Sequence, residues 1–369
     1  MHQFNLSRWV LILFFLFLLL GGLYFAKPFL VPFAFAALLA MLLLPLTRWF
    51  ERKKINRGLA SLFSLMTFLA VVAGMIWLVS WRVSTLTEDL TNIEQRITGL
   101  ISKAKEYVSN TIGISKEKQE DIIKQQQQGS AGGGGKSMVS TILSSAMGFV
   151  VDFILVLVYT FLLLYFRTHL KKFVMMQLRA NEKPEARKMM EDGSKVAQQY
   201  LAGLGMMIVC LWIMYGIGFS IAGVKHAIFF AILCGLLEIV PFVGNLTGTS
   251  ITVLMAVSQG GGSGMVIGVI ITYMVVQFLQ TYILEPLVVG REVNINPLFT
   301  ILVLVIGEMI WGIPGLVLAI PLLGILKIIC EHVDPLHPYA FLIGGEKKPA
   351  KKNNFATKVK GWFGKKKHA

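Results

Sequence analysis

The chain has 369 residues, 55% of them hydrophobic and only 15% charged, with a mean hydropathy of +0.67. Soluble domains carry about 25% charged residues, so the composition excludes a soluble domain and indicates an all-α polytopic integral membrane protein. The net charge of +15 would suggest nucleic acid in a soluble chain. Here the charges sit in loops and in the tail, and no nucleic-acid partner is expected. Cys210, Cys234 and Cys330 lie in or beside apolar segments without ligand spacing. No disulfide, metal site or cofactor is therefore expected.

The first apolar run, Trp9–Ala26, could pass for a secretory leader, but no small-residue cleavage site follows it. Lys27-Pro28 leads straight into a second run, Phe29–Leu46, so both are read as spans. The connector Thr47–Gly58 holds Arg48, Arg52, Lys53, Lys54 and Arg57 against Glu51. The positive-inside rule puts this loop, and the N-terminus, in the cytoplasm. Leu59–Trp81 is the third span.

Residues 82–145 form a polar insertion with eight Lys/Arg against seven Asp/Glu, a balance expected outside the membrane. Leu86, Leu90, Ile93, Ile97, Leu100, Ala104 and Tyr107 alternate at four- and three-residue spacing, which predicts a helix. The stripe suits either homo-oligomerisation through a coiled coil or packing back on the same chain. Gln125–Gly135 reads as a flexible linker. Its Gly135-Lys136-Ser137 resembles the end of a phosphate loop, but position 130 is Ser where the motif needs Gly.

Ala146–Phe166 is the fourth span. The stretch Arg167–Lys195, with eight Lys/Arg and four Asp/Glu, is expected in the cytoplasm. A fifth span covers about Leu201–Ile221, and Met265–Leu284 is a sixth. Two interrupted apolar segments complete the plan, 227–257 and 298–329. They break at Pro241-Phe-Val-Gly244 and Trp311-Gly312-Ile-Pro-Gly315, with Glu238 and Glu308 just before the corners.

The arms Ala227–Val240 and Leu298–Trp311 have 14 residues each. That is about 21 Å of helix, against a hydrocarbon core of about 30 Å. Short arms favour hairpins that enter and return on one side. The two span-plus-hairpin units align at an offset of about 70, with Phe229 on Phe299 and Glu238 on Glu308. Their leading spans run in opposite directions, the inverted-repeat plan that builds a site at mid-membrane depth. The expected fold is about six full spans plus two broken-helix, re-entrant hairpins in inverted repeats. Its units are three spans over 1–81, the extracytoplasmic insertion 82–145 and the fourth span 146–166. A cytoplasmic basic loop (167–200), a transport core (201–330) and a basic cytoplasmic tail (331–369) follow.

Candidate pathway residues follow from polarity inside apolar segments. Gln277, Gln280, Thr281 and Glu285 form one stripe on the sixth span. Asn245, Thr247, Thr249, Ser250 and Thr252 make the arm after the first corner unusually polar. With Glu238, Glu308 and Asn296, and the corner residues Pro241, Gly244, Gly312 and Gly315, these would line a small hydrophilic cavity. Hydroxyls in membrane helices often only bond neighbouring backbone. Acids are stronger candidates because an unpaired carboxylate in lipid costs several kcal/mol. Glu285 could instead pair with Arg291 at the interface, and Asp152 reads as interfacial.

The stretch Leu236-Leu-Glu238-Ile-Val-Pro241-Phe-Val-Gly244 resembles a signature of the autoinducer-2 exporter (AI-2E) family, the PerM-like permeases. Glu285-Pro286-Leu-Val-Val-Gly290, Asn296-Pro297-Leu298, Gly307 and Trp311-Gly312-Ile-Pro-Gly315-Leu-Val-Leu-Ala319-Ile-Pro321 resemble the rest of that signature. The resemblance implies a multispan transporter that can be oligomeric; secondary transport in a bacterial inner membrane is the expected setting. Some members are assigned signal-molecule export and others sodium/proton antiport, so the family leaves the substrate open.

The tail from Glu346 has nine lysines, one glutamate, and Phe355, Trp362 and Phe363. That composition suits either adsorption to anionic lipid or a solvated tail. The leading expectation is export of a small polar solute, with monovalent cation/proton antiport as the alternative. A membrane scaffold is the reading outside transport. Gly261-Gly-Ser263-Gly264 superficially matches an intramembrane serine hydrolase, but no histidine lies in a later span. No catalytic residue is expected.

Overall fold

A bilayer core offers backbone N–H and C=O groups no partner, so apolar segments there satisfy themselves as helices. The computed structural model describes residues 6–83, 135–241, 243–259, 262–289 and 295–345. Among these the regular elements are helical. The one extended pairing is an isolated antiparallel bridge between Ile295 and Gly344. The helices are α1 (Leu6–Phe25), α2 (Lys27–Arg52), α3 (Arg57–Val83), α4 (Gly135–Gln177), α5 (Lys183–Ile221) and α6 (Ala227–Leu237). They continue with α7 (Val243–Ser258), α8 (Gly262–Leu279), a π-helical segment (Gln280–Val289), α9 (Pro297–Trp311), α10 (Ile313–His332) and α11 (His337–Ile343).

Among the described residues, six helices are long and apolar enough to cross a membrane: 27–52, 57–77, 148–177, 183–221, 262–285 and 313–332. The protein is thus an all-α, multi-pass membrane protein. The predicted fourth span is the middle of the 43-residue α4. The basic stretch after it continues as helix into α5, broken only around residues 178–182. The Gly-Lys-Ser triplet at 135–137 falls in helical backbone at the start of α4. The coiled-coil stripe at 86–107, Arg291 and the lysine-rich tail lie outside the described residues.

Two bodies of packing are joined through α5. In the first, α2, α3 and α4 enclose Ala40, Leu43, Leu65 and Leu164. Buried Thr47 Oγ1 lies 2.9 Å from Ser64 Oγ, and Arg167 pairs with Glu51 below them. In the second, α5, α6, α7 and α8 enclose Leu211, Tyr215, Phe219, Phe230, Ala256 and Val269. The span α10 lies on α5 and α2 through Leu38, Ala197 and Leu318. It is the most enclosed of the six: half of its apolar window is buried, against 11% for α4 and for α8.

The hairpins insert from opposite ends of α5. The open end of α6–α7 lies at the α5 C-terminus, where Lys225 N donates to Gln259 Oε1 at 2.8 Å. The open end of α9–α10 lies at the α5 N-terminus. There His332 Nε2 stands 3.4 Å from Asp192 and 3.7 Å from Glu185. The arms α6, α7 and α9 have 11, 16 and 15 residues. All three are shorter than a span, whereas the 20 residues of α10 reach about 30 Å, a full crossing.

Candidate functional site

The tip of the first hairpin is shaped by glycine. Helix α6 ends with Glu238 as its C-cap, and Gly244 N bonds back to Val240 O at 2.9 Å. A Cβ on Gly244 would lie 1.6 Å from the Leu237 carbonyl oxygen, so the two arms close only because residue 244 has no side chain. The α6–α7 packing continues at Gly248, where a Cβ would stand 3.0 Å from Cys234 Sγ.

This tip faces the end of α8, where the helix widens into its π-helical segment. π turns are rare and recur at functional sites. Gln280, only 2% exposed, donates from Nε2 to Glu238 Oε1 at 2.8 Å. Asn245, 8% exposed, donates from Nδ2 to Gln277 Oε1. Gln277 Nε2 in turn donates to Thr281 Oγ1 at 3.4 Å. Five oxygens here are buried without a hydrogen-bond partner among the described residues: Glu238 Oε2, Asn245 Oδ1, Thr249 Oγ1, Gln280 Oε1 and Tyr215 OH. Buried polar atoms are ordinarily paired, so several bare oxygens on one hairpin and on the helices packed against it mark a site rather than a core.

Glu285 is exposed on the π-helical segment, within electrostatic reach of Glu238 and Tyr200. Tyr215, six residues before the C-terminal end of α5, is itself within reach of Glu238. Sequence reasoning missed it because a lone Tyr in an apolar helix carries no distinguishing mark. Thr252 is engaged structurally: it is fully buried, bonds Gly248 O at 2.8 Å and lies 3.5 Å from Cys234 Sγ.

The structure does not bring every expected residue to this tip. Glu308 is exposed near the other corner, and its hairpin packs on α10, α5, α2 and α1 rather than on α6–α7. Glu238 and Glu308, expected to line one cavity, thus stand on hairpins that pack on different sets of helices among the described residues. Asn296 is the N-cap of α9, its Oδ1 accepting from Leu298 N at 3.0 Å.

The second corner is again a glycine device. Gly312 has φ +70° and ψ −144°, and a Cβ on Gly315 would lie 1.8 Å from Gly307 O. Trp311 Nε1 donates to Leu23 O at 3.0 Å and ties this corner to α1. Ser263 is exposed at the start of α8, at the end opposite the buried His332. No group of three or more His, Cys, Asp or Glu suited to a metal occurs among the described residues.

Six long apolar helices and two broken hairpins, one closing over a buried polar cluster, define a multi-pass helical membrane protein with the layout of a transport protein. Residues 13–334 match the family model described as AI-2E family transporter. The chain belongs to the AI-2E transporter family, whose members are membrane transporters. Among its relatives, the AI-2 transport protein TqsA of Escherichia coli is 26% identical over 88% of this chain and 91% of its own. YrrI of Bacillus subtilis is 23% identical over 83% of this chain and 87% of its own. YueF of the same organism is 25% identical over 82% and 85%. Both are provisionally described as transport proteins.

Proposed function

We propose that this protein is a secondary transporter that exports a small polar solute, of the hydroxyl-rich kind to which autoinducer-2 belongs. The observation that carries the reading is the set of five unpartnered buried oxygens at the first hairpin tip. Buried polar atoms held without partners cost about 1–3 kcal/mol each, and a solute presenting several O–H groups, which both donate and accept, would satisfy them together. TqsA, by its name a transporter of autoinducer-2, adds support from a relative at 26% identity. Glu238 and Glu285 are the groups proposed to couple transport to a proton gradient, with Gln277, Gln280, Asn245, Thr249 and Thr281 lining the path.

The proposed setting is a bacterial inner membrane with both termini in the cytoplasm, the protein acting as a homo-oligomer. The test is flux in proteoliposomes of the purified protein. Gradient-driven movement of a small polyol is expected, and its absence across a panel of polyols and sugars refutes the reading. The same oxygens favour a second reading, exchange of a monovalent cation for protons, because hard cations bind oxygen ligands. That reading requires a sodium or lithium gradient to move protons across the same vesicles.

A further inference from the structure

At the end of the first body where α3 begins, a groove of about 510 Å³ lies between α3 and α4. One end is polar, formed by Asn56 and Arg57. The other is apolar and open to the bilayer, formed by Leu59, Leu62, Phe161 and Tyr165. Leu59, Leu62 and Tyr165 are exposed although they sit on membrane-crossing helices. Gly58 leaves room for the Tyr165 ring, which stands 3.6 Å from where a Cβ would be.

The charges at the polar end are incompletely neutralised. Glu51 is held tightly by Arg167 through Oε2, while Arg57 Nε stands 3.6 Å from its other oxygen. Two guanidinium groups thus share one carboxylate, and the Arg57 side chain remains 43% exposed. Among the described residues, Arg167 Nη1 and Glu51 Oε1 are both buried with no hydrogen-bond partner. Arg48, Arg52, Lys53 and Lys54 add positive charge nearby. An anion is attracted to such an end, and the first-turn amides of α3 point the same way.

We propose that this groove binds one anionic phospholipid, its phosphate on Arg57 and Asn56 and an acyl chain along Leu59, Leu62 and Phe161. A soluble anion would use the polar end and leave the apolar wall unoccupied. A zwitterionic lipid would bring a cationic headgroup towards a cluster that already carries excess positive charge. Its lining residues are none of those at the polar hairpin tip, and it stands whether or not the transport reading does.

Native mass spectrometry of the full-length protein with phosphatidylglycerol tests it. One lipid per protomer is expected to be retained, where phosphatidylcholine is not, and excess inorganic phosphate does not displace it. Arg57→Gln weakens retention by about fivefold, the effect of one basic residue at an anionic surface. Leu62→Asn keeps every charge but wets the acyl wall, and weakens retention as well; it serves if Arg57→Gln folds poorly. Unchanged retention in both variants, or displacement by inorganic phosphate, overturns the proposal. So does retention lost only when the tail lysines are replaced.

Discussion

Replacing Glu238 by Gln separates what the fold needs from what transport needs. Glu238 Oε1 accepts a 2.8 Å hydrogen bond from Gln280, and Oε2 is buried without a partner. An ionised acid deep in a membrane helix costs about 2.5–3.5 kcal/mol on insertion scales. One hydrogen bond to a charged group returns about 1.5–3 kcal/mol. The two nearly cancel, and the unpaired Oε2 leaves the balance unfavourable. In Glu238→Gln the amide oxygen still accepts from Gln280. Its new N–H groups meet bare acceptors such as Asn245 Oδ1 and Gln280 Oε1. We therefore predict a variant as stable as the parent or up to about 2 kcal/mol more stable, with transport reduced to the rate of empty vesicles. Thermal unfolding in nanodiscs, paired with flux in proteoliposomes, reads both. A lower unfolding midpoint would show that the carboxylate is a structural group, and undiminished flux would remove it from the pathway; either result refutes the reasoning.

Gly244→Ala drives a methyl group into the Leu237 carbonyl; folded yield should collapse, whereas Gly205→Ala, with nothing within 4 Å, should gain up to about 1 kcal/mol in helix propensity. Size-exclusion profiles of the two variants compare them directly. Arg167→Met removes the main partner of Glu51, leaving Arg57 at 3.6 Å as its one cation among the described residues. A loss of about 1–3 kcal/mol is expected, and Arg167→Met combined with Glu51→Gln should recover much of it in denaturation midpoints. Trp311→Phe deletes the bond to Leu23 O; amide exchange should quicken in α1 by the equivalent of about 1 kcal/mol and stay unchanged in α6 and α7.

Much of this was legible because a membrane simplifies the reading. Apolar runs became helices: the expected third span, Leu59–Trp81, is α3 at Arg57–Val83, while the fourth and fifth lie inside the longer α4 and α5. Of the polar stripe, Gln277 and Gln280 bond Asn245 and Glu238 of the first hairpin, while Thr281 bonds only Gln277 among the described residues. Sequence symmetry misled at Glu308. It aligns with Glu238, yet alignment of inverted units says nothing about whether their tips meet. Nor did polarity alone separate Asn296, an N-cap, from Asn245, a buried amide with one bare oxygen. The π-helical register at 280–289 had no compositional sign, since π and α turns accept the same residues.

The enclosure of α10 bears on how this chain can vary. Lipid is fluid and adapts to whatever shape a helix presents, so a lipid-facing position asks mainly that its residue be apolar. Protein neighbours are close-packed and have fixed outlines. Along α10 the outlines are met by small residues, with Gly315, Ala319 and Gly324 buried beside Leu318 and Leu323. On α4 and α8, Leu, Ile, Val and Phe should exchange freely over most of the surface. On α10 the same exchanges would collide with α5 or α9, so its tolerance should be set by volume where that of its neighbours is set by hydropathy.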